Sequence, residues 1–484
     1  MADLQTNHQV DGAGMDLPAS TRKGTTTSYQ LVIIGGGLSG LAAGIRFARF
    51  GGRVLIVEQH AIPGGLNSYY FRNGVLLETG LHAMTNFARP GNKQAPLNRL
   101  LRQLKLSRKK FVTREQLGSE IVFPGVTLCF SNDLSLLAGE IERVFPEARD
   151  RFFDLVRWVE SFDPFAPAPW RSTRAFLREK LNHPLLEDML LLPLMVYGNA
   201  EEQDMDLAQF AIMFRALFLE GFFRPEHTIR EFLHSLLAQY RRFGGEIRFR
   251  TRVQKLIRKG GTIRAVVLED GEELACEAVL STVGIPGTAK ISGWDLERSR
   301  YIGRMSFMET ISLLPAAARG SLKSDRTIIF YNMEDTLNYR RPGAPLDPSW
   351  GVICFPENFQ GLEPGELFQI RVTNAANFDL WKEADRESYL QMKEKWARES
   401  AVSVRKIIGN YTQDVVYQDS FTPVTIERFT GKAAGAVYGS PVKIKDGRTP
   451  FANLFLAGTD QGYLGIVGSM LSGVSIVNQH LLRR

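Results

Sequence analysis

The stretch Gly35-Gly36-Gly37-Leu38-Ser39-Gly40 carries glycines at the G-x-G-x-x-G spacing, and the chemistry of that spacing is pyrophosphate binding. Gly35 permits a tight turn, Gly37 lets the backbone approach a phosphate, and Gly40 lets a helix press on a strand. Leu38 and Ser39 lie between them, where a helix N-terminus turns its positive end toward the anion. Glu58 stands 18 residues after Gly40, where a carboxylate accepts hydrogen bonds from an adenosine ribose and disfavours a 2'-phosphate. Nicotinamide and flavin dinucleotides both satisfy these residues. Pro63-Gly64-Gly65 follows as a second glycine pair.

The elements that must position these residues are legible around them. Tyr29 to Ile34 is an apolar run sized for a buried parallel strand, Leu41 to Phe50 reads as an Ala-rich helix ended by Gly51-Gly52, and Arg53 to Val57 is a second strand. Glu246 to Arg250, Val253 to Arg258, Thr262 to Leu268 and Glu273 to Ser281 read as successive strands, with Asp270-Gly271 as a hairpin turn. Near the end, Asn453 to Ala457 is a strand leading into Gly458-Thr459-Asp460, and Gly465-Ile466-Val467-Gly468 opens a helix. Gln461 to Leu482 has no Asp, Glu, Lys or Arg and about the length that spans a bilayer. Its glycines, serines and amides make a buried helix the better reading.

Composition narrows the class. A chain of 484 residues, 44% apolar, exceeds one hydrophobic core and is expected to form two domains that exchange segments. The net charge of +7 is spread among interleaved acids, which argues against a nucleic-acid partner and allows an anionic membrane surface. Cys129, Cys276 and Cys354 match no metal-ligand spacing, so no metal is expected, and they fit a reducing, cytoplasmic setting. Residues 1–28 lack the apolar core of a signal peptide and read as a disordered leader.

Pro63-Gly64-Gly65 and the Gly458 to Gly468 stretch resemble the FAD-binding amine oxidase and phytoene desaturase superfamily. That resemblance implies FAD as cofactor. Gly64 and Gly65 would approach its pyrophosphate and ribityl chain, Asp460 after Gly458 would contact ribityl hydroxyls, and Gly465, Ile466 and Val467 would face the flavin ring. Val253 resembles the valine whose backbone pairs with adenine. Thr422-Pro423-Val424-Thr425-Ile426-Glu427-Arg428-Phe429-Thr430-Gly431 and Gly435-Ala436-Val437-Tyr438-Gly439 are similar to the carotenoid desaturase, carotenoid isomerase and retinol saturase branch. Glu78-Thr79-Gly80-Leu81-His82 resembles the D-T-G-I-H stretch of retinol saturases, which puts Gly80 and His82 beside the flavin. Glu226-His227 replaces the glycine pair usual in relatives, and Leu66 stands where they often carry a basic residue. Both bulky residues at 226 and 227 are expected to narrow or polarise the substrate cavity.

The expected architecture is α/β: a Rossmann-type FAD-binding domain from residues 29–105, 240–300 and 420–484, interleaved with an α+β substrate-binding domain from 106–239 and 301–419. Leu207 to Phe223 is apolar nearly all round, so it packs in the core, lines a tunnel or dips into a membrane surface. The basic residues between Arg99 and Lys110 read as a solvated face or as contact with anionic lipid. The resemblance implies hydride transfer at a carbon–carbon bond of a long apolar isoprenoid, with His82 and His227 as candidate proton donors or polarising groups. Two alternatives stand beside it: a flavin amine oxidase or protoporphyrinogen-oxidase-like enzyme, and a non-catalytic prenyl-holding protein of the GDI or Rab-escort kind.

Overall fold

The computed structural model describes residues 28–80, 83–362 and 365–482. The expected leader lies outside them except for Ser28, which opens the first strand. Two seven-stranded sheets organise the chain. In the first, the path runs Val253–Lys259, Thr262–Leu268, Glu273–Ser281, Ser28–Ile34, Val54–Val57, Glu246–Arg248, and Leu454–Leu456 pairs alongside the end of Glu273–Ser281. The central pairs are parallel, with Ile33 opposite both Ile56 and Leu280, and Leu280 opposite Phe455. Three separated stretches of sequence thus meet in one Rossmann-type sheet. Its central strands are unbroken apolar runs because both faces are covered: Leu31 and Ile33 belong to one buried cluster, Val32 and Ile34 to another. The strand expected to reach Arg250 stops at Arg248, where the chain turns left-handed at Arg250 (φ 51°).

The fingerprint helix Leu38–Ala48 crosses the C-terminal helix Gly465–Ile476 so closely that a Cβ on Gly473 would lie 2.1 Å from the Ser39 carbonyl oxygen. Ser39 Oγ also donates to the Ser469 carbonyl at 2.8 Å. Helix Ile229–Arg242 packs on the same cluster. Its Tyr240 ring covers Gly44, and its hydroxyl donates to the Glu246 carbonyl at 2.8 Å. The boundary expected at residue 240 therefore falls inside a helix, and that at 420 falls inside the strand Tyr417–Phe421.

The second sheet is mixed, in the order Tyr417–Phe421, Ser306–Pro315, Leu367–Ala376, Trp350–Cys354, Ile328–Asn332, Ser119–Phe123, Val126–Phe130. Side chains alternate across it. Phe330, Val352 and Cys354 join the cluster of helix Pro184–Gly198, whereas Ile329, Ile353 and Val372 join that of the long helix Arg386–Ile408.

The apolar stretch expected to form one helix over 207–223 is α-helical from Leu207 to Phe214 and continues as a π-helical segment over Arg215–Leu219. The helix ends before Gly221 (φ 91°), which reverses the chain into the short strand Phe223–Pro225. The widening begins at Arg215, whose Nε donates to the Val159 carbonyl at 2.9 Å. Phe210, Phe214, Leu217, Phe218 and Phe222 are all buried, so this is core. Gln461 to Leu482 is likewise packed inside, and among the described residues no helix is long and apolar enough to cross a membrane.

Candidate cofactor and substrate site

One cavity of about 670 Å³ runs from the fingerprint turn to the second sheet. Its first part is a cradle of backbone. Gly35 has φ 103°, and a Cβ there would lie 2.3 Å from Thr282 Oγ1. A Cβ on Gly40 would meet the Gly35 carbonyl oxygen at 2.1 Å, so helix and strand touch through bare glycine. Gly37 differs: nothing lies nearer to its missing Cβ than the Gly64 carbonyl at 3.9 Å, and a side chain there would stand in the cavity. No side chain caps the helix that follows, so its first N–H groups face the same space. Gly64 (φ 119°) donates its N–H to the Gly36 carbonyl at 3.0 Å, which seats the second glycine pair beside the first. Gly65 and Gly80 complete this wall, Gly80 packed against the Leu66 carbonyl.

Glu58 is buried at the end of its strand and lines the cavity. Its Oε2 accepts from Gly36 N at 2.6 Å and its Oε1 from His60 N at 2.8 Å. Each oxygen retains a further lone pair, which suits a carboxylate that also receives ribose hydroxyls. Val253 lies beyond it, at the start of its strand and on the wall. The cradle therefore fits the FAD inferred from sequence: bare backbone at the pyrophosphate, an acid at the ribose, and Gly465 and Ile466 at the start of an uncapped helix further along.

Three of the expected site residues lie off this cavity wall. Asp460 is not on the cavity wall; Gly458 and Thr459 are. The Asp460 carboxylate accepts from Ile285 N at 2.6 Å and Ser440 N at 2.8 Å, so it ties together three chain segments behind the site. Val467 points into the apolar cluster rather than the cavity. His227 is the third: its side chain is 57% exposed, pairs with Glu231 at 3.8 Å and does not line the cavity. Glu226 pairs with Arg114 at 2.8 Å, also away from the cavity. Both precede the Thr228–Glu231 capping box, which fixes the turn outside the wall, so neither narrows the chamber. His82 lies outside the described residues.

The far part of the cavity is built from side chains. Val196, Tyr197, Phe307, Val352 and Tyr438 form an apolar chamber, with Glu309 and Thr373 set into it. Burial pushes the Tyr197 and Tyr438 phenols up, which keeps both neutral. Glu309 is backed by Arg371, whose Nε donates to Glu309 Oε1 at 2.6 Å and whose Nη2 donates to the Glu78 carbonyl at 2.6 Å. Glu78 in turn accepts from Ile229 N at 2.7 Å and from Arg224 at 2.5 Å. Lys432 stands between cradle and chamber, its Nζ donating to the Val437 carbonyl at 2.8 Å and to Thr459 Oγ1 at 2.9 Å. Burial pushes its pKa down to about 8, opposed by the Asp460 charge and assisted by Lys443.

Sequence reading missed Glu309, Arg371, Tyr197 and Lys432. Lys432 follows Gly431 of the branch-specific stretch directly, which is the signal that marks it. Glu309 is the one charged residue of the strand Ser306–Pro315, whose positions are almost all buried, and a lone charge in such a strand calls for a partner.

A glycine cradle that opens into an apolar chamber between a Rossmann-type sheet and a second sheet defines a flavin-dependent oxidoreductase. The chain belongs to the family of flavin containing amine oxidoreductases, whose pattern matches residues 38–314, more than half its length. Within that family it is 22% identical to the all-trans-retinol 13,14-reductase of Danio rerio, over 93% of this chain and 86% of that one. It is 38% identical over 69 residues to the chloroplastic prolycopene isomerase of Daucus carota, 14% of this chain and 11% of that one. Its fold is shared with an oxidoreductase from Methanosarcina mazei at a TM-score of 0.65 and 16% identity, covering 93% of this chain and all of that chain. The protein is an FAD oxidoreductase with relatives in the retinol- and carotenoid-converting branch.

Proposed function

We propose that the substrate is a long apolar isoprenoid polyene of retinoid or carotenoid type, and that the protein desaturates, saturates or isomerises one of its carbon–carbon bonds. The observation that carries this reading is the chamber walled by Val196, Phe307, Val352, Tyr197 and Tyr438, continuous with the cradle. FAD, when bound, supplies the two-electron exchange of a hydride. The chain's own residues hold it at Gly37 and Glu58, exclude water with aromatic and branched side chains, and orient an apolar chain by shape.

An amine substrate fits less well. A cationic amine calls for net negative charge in its pocket, and Arg371 neutralises Glu309. A purely prenyl-holding role leaves the open Gly37 cradle and the seated Glu58 without use.

Such a substrate resides in lipid, so the reading includes cytoplasmic protein in peripheral contact with a membrane. Phe165 and Trp170, 59% and 52% exposed on one loop, are the side-chain types that enter a lipid interface. Phe165 stacks on Tyr463, which precedes the helix beginning at Gly465 on the cavity wall.

The test is conversion. FAD-loaded protein is incubated anaerobically, with oxidised and with dithionite-reduced flavin, against all-trans-retinol and a linear carotene, and products are identified by mass and retention. A product altered by two hydrogens, or an isomer of equal mass, supports the reading. Oxidation of polyamines with no conversion of any polyene would overturn it.

A further inference from the structure

We infer that Glu309 is the group that exchanges a proton with the substrate in the chamber, and that Arg371 is its positioning residue. The inference rests on the isoprenoid reading above and goes beyond it by assigning the proton.

Three carboxylates line the cavity among the described residues: Glu58, Glu269 and Glu309. Glu58 is held by two backbone N–H groups at the ribose end, and Glu269 follows the strand beside Val253, at the same end. Glu309 alone of the three stands in the chamber, on the long strand next to the edge of the second sheet, where it lines the cavity together with Phe307 and Val352.

A buried ion pair is weak evidence of stability, because desolvation of both ions offsets their attraction. The pair is nevertheless built with care. Arg371, 1% exposed, donates Nε to Glu309 and Nη2 to the Glu78 carbonyl, and Glu78 is itself fixed by Arg224 and Ile229 N. Thr373 Oγ1 reaches Glu309 Oε2 at 3.4 Å. The Nη1 atom of Arg371 has no partner, so this network still holds one buried donor in reserve. Rigid support of one carboxylate in a water-poor chamber is the arrangement that proton transfer at carbon requires.

The step balances as follows. Removal of two hydrogens across a carbon–carbon single bond sends one as hydride, with both electrons of its C–H bond, to a flavin-class oxidant. The neighbouring hydrogen leaves as a proton to a Glu309 oxygen, and the electron pair of that C–H bond becomes the new π bond. Saturation is the reverse, with the proton returned from the Glu309 carboxyl to carbon.

The experiment compares wild type, Glu309→Gln and Glu309→Asp as FAD-loaded holoproteins, with all-trans-retinol and a linear carotene as probes. Readouts are flavin content per chain, polyene binding by fluorescence quenching, turnover, and the isotope effect with substrate deuterated at the carbon that exchanges the proton. The expected result is that Glu309→Gln keeps its flavin and binds polyene but loses turnover by about 100-fold or more. Glu309→Asp, which keeps the acid one methylene further back, recovers part of the rate with an increased isotope effect. Turnover of Glu309→Gln within about threefold of wild type would overturn the assignment. So would loss of flavin in both variants, which marks a structural role. A wild type that converts no polyene while retaining FAD removes the isoprenoid reading itself, and this assignment with it.

Discussion

At the cradle end the chain presents backbone: an uncapped helix start, bare glycine at 37, and a carboxylate at 58 whose oxygens are seated by two N–H groups. At the chamber end it presents side chains: rings, branched aliphatics and one arginine-backed acid. The first kind of site is set by backbone left bare of Cβ atoms, so a side chain added there competes with the cofactor for the same space. The second is set by volume, so it can be re-cut for a different substrate without disturbing the cofactor.

The comparison can be broken most sharply at Gly37. Its φ of −69° suits any residue and no atom lies close, so Gly37→Leu is expected to fold normally and to fill the cradle. FAD affinity should fall by about 100-fold or more, equivalent to about 2.7 kcal/mol, as read by flavin absorbance against an unchanged melting temperature. Glu58→Ala comes next. It leaves the N–H groups of Gly36 and His60 without their acceptor, at a cost of about 1–3 kcal/mol in apo-protein stability, with a parallel loss of FAD affinity. Tyr197→Phe should do little at either end: the hydroxyl is buried without a partner, so its removal is expected to shift stability by about 1 kcal/mol or less, toward greater stability, with FAD affinity unchanged.

A smaller effect is predicted in the pH dependence. The Lys432 pKa falls from 10.5 unfolded to about 8 folded, so between those values the unfolded chain holds the proton that the folded chain has released. This group therefore makes apo-protein stability rise with pH from about 8 to 10.5, and below pH 8 its penalty is constant. Lys432→Met should remove part of that rise in a series of thermal melts, leaving the part due to Lys443, which burial also pushes down to about 8. The smallest effect is His227→Ala, on the exposed turn, where turnover and flavin content should equal wild type.

The cradle was legible because glycine spacing and a strand-terminal acid are local, and local geometry survives from sequence into fold. Gly35, Gly37, Gly64, Gly65 and Glu58 come together as the spacing implies. Asp460 shows the limit: its position after a strand was correct, but its partners, Ile285 N and Ser440 N, come from segments more than a hundred and twenty residues apart in the wall behind it. The chamber was scarcely legible. Tyr197, Glu309, Val352 and Tyr438 are brought together by strand order and helix packing, which no periodicity encodes. The 207–223 stretch is helical to Leu219 as its apolar run implies, whereas the widening at Arg215, whose Nε reaches the Val159 carbonyl fifty-six residues away, is not encoded in that run.

The most direct measurement is a titration of FAD-loaded protein with all-trans-retinol or a linear carotene, followed by the flavin absorption spectrum, in wild type and in Val352→Trp. If cradle and chamber are two ends of one cavity, polyene should perturb the wild-type flavin spectrum saturably, and the indole at 352 should abolish that response while FAD stays bound. A flavin spectrum indifferent to polyene in wild type, or a Val352→Trp protein that responds as wild type does, would contradict the account.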